Sequence, residues 1–162
     1  MNLWSMILGG LTLHFIEEAV NTLVEKHKTR DPFELCRLEN IILKFWNFDS
    51  SVNGMYQYAD RNKFVFININ LSSRKKLYTC GHELAHAILH PKENCSFLRN
   101  HTYLSTNKLE KEANMFLSTL LIPTVTKEMF YEKSLDEVAY ELDMPRELLE
   151  LRVMVAKCGG YF

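Results

Sequence analysis

Apolar positions recur at helical spacing near both ends of the chain and alternate or cluster in its middle. Leu13, Ile16, Val20, Leu23 and Val24 share one face of a helix expected over residues 11–26. Asp31-Pro32 opens a short second helix, with Asp as N-cap and Pro at the first helical position. Residues 40–48 form an apolar run with the β-branched pair Ile41-Ile42 and read as a strand. Asn53-Gly54 then marks a turn before Met55-Tyr56-Gln57-Tyr58, and Asp60-Arg61-Asn62-Lys63 a second turn before Phe64-Val65-Phe66-Ile67-Asn68-Ile69. These segments are the expected pieces of a small antiparallel sheet. A strand at 64–70, just ahead of the next helix, would offer an edge for an extended peptide to pair with, unless it lies in the sheet interior.

From Ser72 or Ser73 the period returns to 3.6, with Leu77, Cys80, Leu84 and Ile88 along one stripe that can bury against the sheet. His90 precedes Pro91, which disfavours the helical region at His90 and ends that helix. An irregular segment to Thr106 is expected next, then a helix over 108–121, a turn at Ile122-Pro123 and a short helix near Lys127. Two further helices split at Asp143-Met144-Pro145, the first opened by a capping box of Ser134 and Glu137. No repeat, low-complexity tract or linker divides the sequence, so residues 1–162 read as one domain: a core over about 11–125 and C-terminal helices over 126–157, helix-turn-helix-like in pattern.

Composition narrows the class. Apolar residues make up 47% and charged residues 24%, which excludes a disordered chain. The formal net charge of −1 gives no support to nucleic-acid or polybasic membrane binding. The apolar start, residues 1–16, lacks a basic n-region and a cleavage signal and is too short to span a bilayer. Cys36, Cys80, Cys95 and Cys158 form no C-x-x-C pair. Reduced thiols in a cytoplasm fit that pattern better than a disulfide framework or a cysteine zinc site.

The chemistry sits in His82-Glu83-Leu84-Ala85-His86. Two histidines four apart project from one helix face, one above the other, and can bind one zinc ion, while Glu83 stays free to take a proton from water. Chance would produce this pattern about 0.02 times in a chain of this composition. A hydrolytic zinc site needs a third protein ligand and an open position. Glu110 and Glu112 are both available but lie about 200° apart around their helix, so only one can face the metal. Glu110 is favoured because Asn114 follows one turn later, where its amide could orient a ligating histidine. Glu112 remains the alternative, and Glu110 could equally serve as the N3 residue of a cap set by Asn107. Arg99, His101 and Tyr103 lie between the two helices, where an oxyanion donor could sit, but nothing chooses among them or separates them from plain loop-packing residues.

H-E-L-A-H, a following H-P, and L-E-K-E-A-N-M-F-L-S-T-L-L-I-P over residues 109–123 resemble the ImmA/IrrE family of zinc metallopeptidases. Pro32-Phe33-Glu34-Leu35-Cys36, Gly54-Met55-Tyr56-Gln57-Tyr58 and Phe97-Leu98-Arg99-Asn100 add to the likeness, which holds over about residues 30–125. Family members often carry Phe-Ala where this chain has Phe116-Leu117, a difference of packing. The resemblance implies zinc ligands at His82, His86 and Glu110, and an α+β fold. In that fold a small antiparallel sheet packs against a zincin-type HExxH helix and a glutamate-ligand helix, with a helical C-terminal region. It also implies a gluzincin-like endopeptidase, with Glu83 as the catalytic base, that cleaves a helix-turn-helix repressor of a mobile genetic element. The alternative is a zinc-stabilised anti-repressor that binds the repressor without cutting it. A DNA-binding role for the helix-turn-helix-like stretch 134–152 is disfavoured by its acidity: there Asp136, Glu137, Glu141, Asp143, Glu147 and Glu150 face only Arg146 and Arg152.

Overall fold

A computed structural model describes residues 3–93 and 103–158. The chain is α+β, and its described residues form six helices and a three-stranded mixed sheet. In order these are α1 (Leu3–His27), α2 (Pro32–Leu38), β1 (Ile42–Trp46), β2 (Gly54–Ala59), β3 (Asn62–Asn68) and α3 (Ser73–Leu89). Then follow α4 (Tyr103–Leu121), a 3₁₀ turn (Lys127–Phe130), α5 (Leu135–Glu141) and α6 (Arg146–Cys158). Packing groups the chain into two compact units, Leu23–Ala113 and Met1–Thr22 with Asn114–Phe162.

In the first unit the helix starts follow from local hydrogen bonding. The Asp31 carboxylate accepts the Phe33 N–H at 2.8 Å ahead of Pro32, and the Ser72 hydroxyl accepts the Lys75 N–H at 3.3 Å. β2 and β3 pair antiparallel through a two-residue turn in which Asp60 and Arg61 both have positive φ, 49° and 62°. That is the turn geometry whose twist matches a hairpin.

β1 departs from the expected antiparallel sheet: it pairs with β3 in parallel, giving the order β1-β3-β2. Alternation of side chains fixes which face a residue takes but not which strand lies beside it. The arrangement is held at one point. The connection from β1 to β2 arches over the end of β3, where the Asn68 amide donates to the carbonyls of Val52 (2.8 Å), Asp49 (3.2 Å) and Phe48 (3.3 Å). The Asn68 backbone N–H bonds Asn53 O, and Ile69 N–H bonds Trp46 O. Because β3 is central and bonded on both sides, the strand at 64–70 offers no edge to an incoming peptide. The edges are β1 and β2.

α3 packs on α2, β2 and β3. It buries Thr79, Cys80, Glu83, Leu84 and Ala87 with Tyr56, Val65 and Ile67 among the fully covered side chains of the sheet. α4 begins at Tyr103, earlier than the expected position 108, so Asn107 lies within the helix and is not its N-cap. Segment 94–102, with Cys95, Arg99 and His101, lies outside the described residues, so the irregular stretch expected there is described only to residue 93.

The second unit packs Ile122, Val125, Val138, Ala139, Leu149 and Ala156 into a small apolar core. The Ser134–Glu137 capping box forms as expected. Arg152 is buried: its guanidinium donates to Ile122 O at 2.8 Å and Pro123 O at 3.1 Å and meets Glu17 at 3.4 Å. Among the described residues, no helix is long and apolar enough to cross a membrane.

Asn68 is 2% exposed, so Asn68→Ala strands carbonyls away from water. We expect a stability loss of about 1–3 kcal/mol, measured as a lower urea midpoint at unchanged m-value.

Candidate metal centre

His82 and His86 stand one turn apart on α3, and Glu110 reaches them from α4, all within the Leu23–Ala113 unit. His82 Nε2 lies 3.1 Å from Glu110 Oε2 and 3.2 Å from His86 Nε2, and His86 Nε2 lies 3.6 Å from Glu110 Oε1. Ligand bonds of about 2.0–2.1 Å in tetrahedral geometry set donors roughly 3.3–3.4 Å apart. The three separations bracket that value, so the cluster fits a zinc site. It is graded from closed to open: the His86 side chain is 1% exposed, His82 17% and Glu110 28%. Access is therefore from the Glu110 side.

Glu83, the residue after His82, is 5% exposed, and its Cγ borders the space beside the first residue of β2. Gly54 permits that approach. A Cβ added there would fall 2.5 Å from Thr79 Cγ2, 2.6 Å from Phe66 O and 3.6 Å from Glu83 Cγ.

Glu112, the other candidate ligand, has a different partner. Its carboxylate lies 3.3 Å from His90 Nε2 and 3.8 Å from Lys108 Nζ. The approach to His90 is a close contact and not an aligned hydrogen bond. Burial holds the His90 pKa below its ordinary value despite the opposing pull of Glu112 and Glu93. From sequence alone Glu112 is weighed only as the alternative metal ligand and given no other role. His90, the C-cap of α3, follows His86 by four residues, but nothing in the sequence marks Glu112 as its partner. Asn114 sits one turn beyond Glu110 on α4 and is half-buried. Tyr103 is the first residue of α4.

Cys36 on α2 and Cys80 on α3 are also brought together, Sγ to Sγ at 3.9 Å, free and fully buried. Their mutual hydrogen bond, then burial, pushes the Cys80 thiol far above its usual range. It stays a protonated thiol, two residues from His82.

Two histidines of α3 and a carboxylate of α4 thus form a cluster that could hold a metal ion. Comparison with known proteins agrees. Residues 38–154 match the family model described as the IrrE N-terminal-like domain, Peptidase_M78, and the chain belongs to this family. It is 40% identical over 146 residues to "Uncharacterized immunity region protein 2" of Bacillus phage phi105, covering 89% of this chain and 91% of that protein. It is 30% identical over 108 residues to "Metallopeptidase ImmA" of Bacillus subtilis strain 168, covering 66% of this chain and 63% of that one.

Changing each acidic candidate separates their roles. Glu110→Ala should lose most of its zinc on dialysis, while Glu112→Gln should retain about one equivalent, both read by atomic absorption. Retention in the first with loss in the second would reverse the assignment.

Proposed function

We propose that this chain is a single-domain zinc endopeptidase of the cytoplasm that cleaves a helix-turn-helix repressor of a mobile genetic element and so relieves repression. Family membership supports a metallopeptidase role, and with it a protein substrate. The observation that carries the enzymatic reading is the buried Glu83 carboxylate on the same helix as a convergent His82, His86, Glu110 donor set. A zinc held only for structure needs no such group. The element-borne role follows from relatives called an immunity region protein and ImmA.

His82, His86 and Glu110 would hold the metal through two neutral imidazoles and one carboxylate. Bound there, zinc supplies Lewis acidity, bringing the pKa of water toward ~7 and polarising a peptide carbonyl. Glu83 takes the proton of the attacking water and delivers it to the leaving amine, so no free acid or base is needed from solvent. The buried setting of Glu83 keeps bulk water from competing for that proton.

Direct DNA binding is not part of the reading. The acidic side chains Asp136, Glu137, Glu141, Asp143, Glu147 and Glu150 are all exposed, whereas Arg152 is turned inward, leaving Arg146 and Lys157 as the exposed basic residues of α5 and α6. A phosphate backbone is repelled by that balance.

Glu83→Gln keeps size and shape but removes basicity. The variant should bind zinc and fold as the wild type does, while cleavage falls by about 10²–10⁴-fold. The assay incubates purified protein with the helix-turn-helix repressor encoded in the same element, following fragments by mass spectrometry beside a cellular reporter. Normal cutting by the variant overturns the mechanism. Full derepression without cutting establishes the binding antagonist instead.

A further inference from the structure

We infer that His90 and Glu112 form a second, metal-independent clasp between α3 and α4 that sets the position of Glu110, making both of them positioning residues of the metal centre. The inference rests on the reading of His82, His86 and Glu110 as a zinc site. The residues are few and the geometry is direct. His82 and His86 lie four residues apart on α3, about 6 Å of rise, and His90, four residues further, is the C-cap of that helix. Glu110 meets the first two, and Glu112 meets the third at 3.3 Å. Both partners of this second pair are well covered, with side chains 9% and 13% exposed, so water screens the contact little.

Two contacts do what one cannot. A single carboxylate fixes the distance from α4 to α3 but leaves α4 free to roll about its own axis. Glu110 and Glu112 project about 200° apart around that axis. A roll that draws one toward α3 takes the other away, so engaging both determines the rotation. Lys108 Nζ, 3.8 Å from Glu112 Oε1 and one turn away, helps hold the carboxylate in place.

The α3 end of the clasp is itself anchored. Lys63 Nζ on β3 donates to Ala87 O at 2.7 Å, placing a cation at the carbonyl end of the helix, where the helix dipole favours it. Tyr56 O–H on β2 donates to Pro91 O at 2.7 Å, just past His90. The His90 N–H closes the last turn onto His86 O. His90 is thus fixed to the sheet on one side and offers its ring to α4 on the other. A site whose third donor arrives already aligned loses less conformational freedom when the metal binds.

The test measures zinc affinity by chelator competition, the d–d absorption of the cobalt(II)-substituted protein, and the urea midpoint of the metal-free protein. Glu112→Ala and His90→Ala should each weaken zinc binding by about 10- to 100-fold and alter the cobalt spectrum. The double variant should be no weaker than either single one, because the two act as a pair. Glu112→Gln, which keeps the length and volume of the side chain at this 3.3 Å approach, should restore affinity to near wild type. Where an alanine variant does not fold, His90→Phe fills the same volume without the ring nitrogen and repeats the comparison. Lower urea midpoints with wild-type zinc affinity and an unaltered cobalt spectrum would reduce the pair to ordinary packing and overturn the inference. Wild-type protein that binds no zinc at all would instead overturn the metal-centre reading beneath it.

Discussion

The centre depends on how closely α3 lies against the sheet, and that closeness is set at Gly54. A methyl group there would press on Thr79 from the helix and on the Phe66 carbonyl from β3. The second of these is backbone and cannot swing aside. Either α3 lifts from β2 or β2 peels from β3, and both movements disturb Glu83, whose Cγ borders the same space. Absence of a side chain at one strand end therefore governs where the buried carboxylate sits relative to the histidines one residue before it and three after.

α3 works as a two-sided element. Its sheet-facing side carries apolar and thiol groups, its other side carries the imidazoles, and Glu83 is buried next to His82 between the two. The buried thiol pair and the histidine row thus stay chemically separate although Cys80 and His82 are two residues apart. A protonated, sealed sulfur offers no competing ligand, so the donor set remains nitrogen and oxygen, the kind that suits a hydrolytic zinc.

What could be read from the sequence is what is local. Asp31, Ser72 and Ser134 announced their helices because an N-cap bonds only two or three residues ahead. The convergence of His82, His86 and Glu110 was legible because helix periodicity alone places the first two together, and a rotation argument chose between two acids on the next helix. Long-range choices were not legible. Nothing in residues 42–46 marks β1 as parallel to β3, since that depends on Asn68 gathering a loop whose sequence is unremarkable. The start of α4 was misplaced because Asn107 has the chemistry of a cap without the position of one. The His90–Glu112 and Cys36–Cys80 contacts join separate elements and leave no periodic trace.

The hairpin turn at Asp60 and Arg61 also orders events in time. Joining β2 to β3 closes a short loop, whereas adding β1 to the far side of β3 closes a longer one at greater entropic cost. All three strands leave the ribosome before residue 73, ahead of the helix that will use them as a platform. The donors then arrive separately, two on α3 and the third only with α4. A chain halted between residues 86 and 110 owns a complete sheet and two imidazoles but no carboxylate to join them. In the proposed reading, metal capture thus waits for Glu110, the last of the three donors to be made.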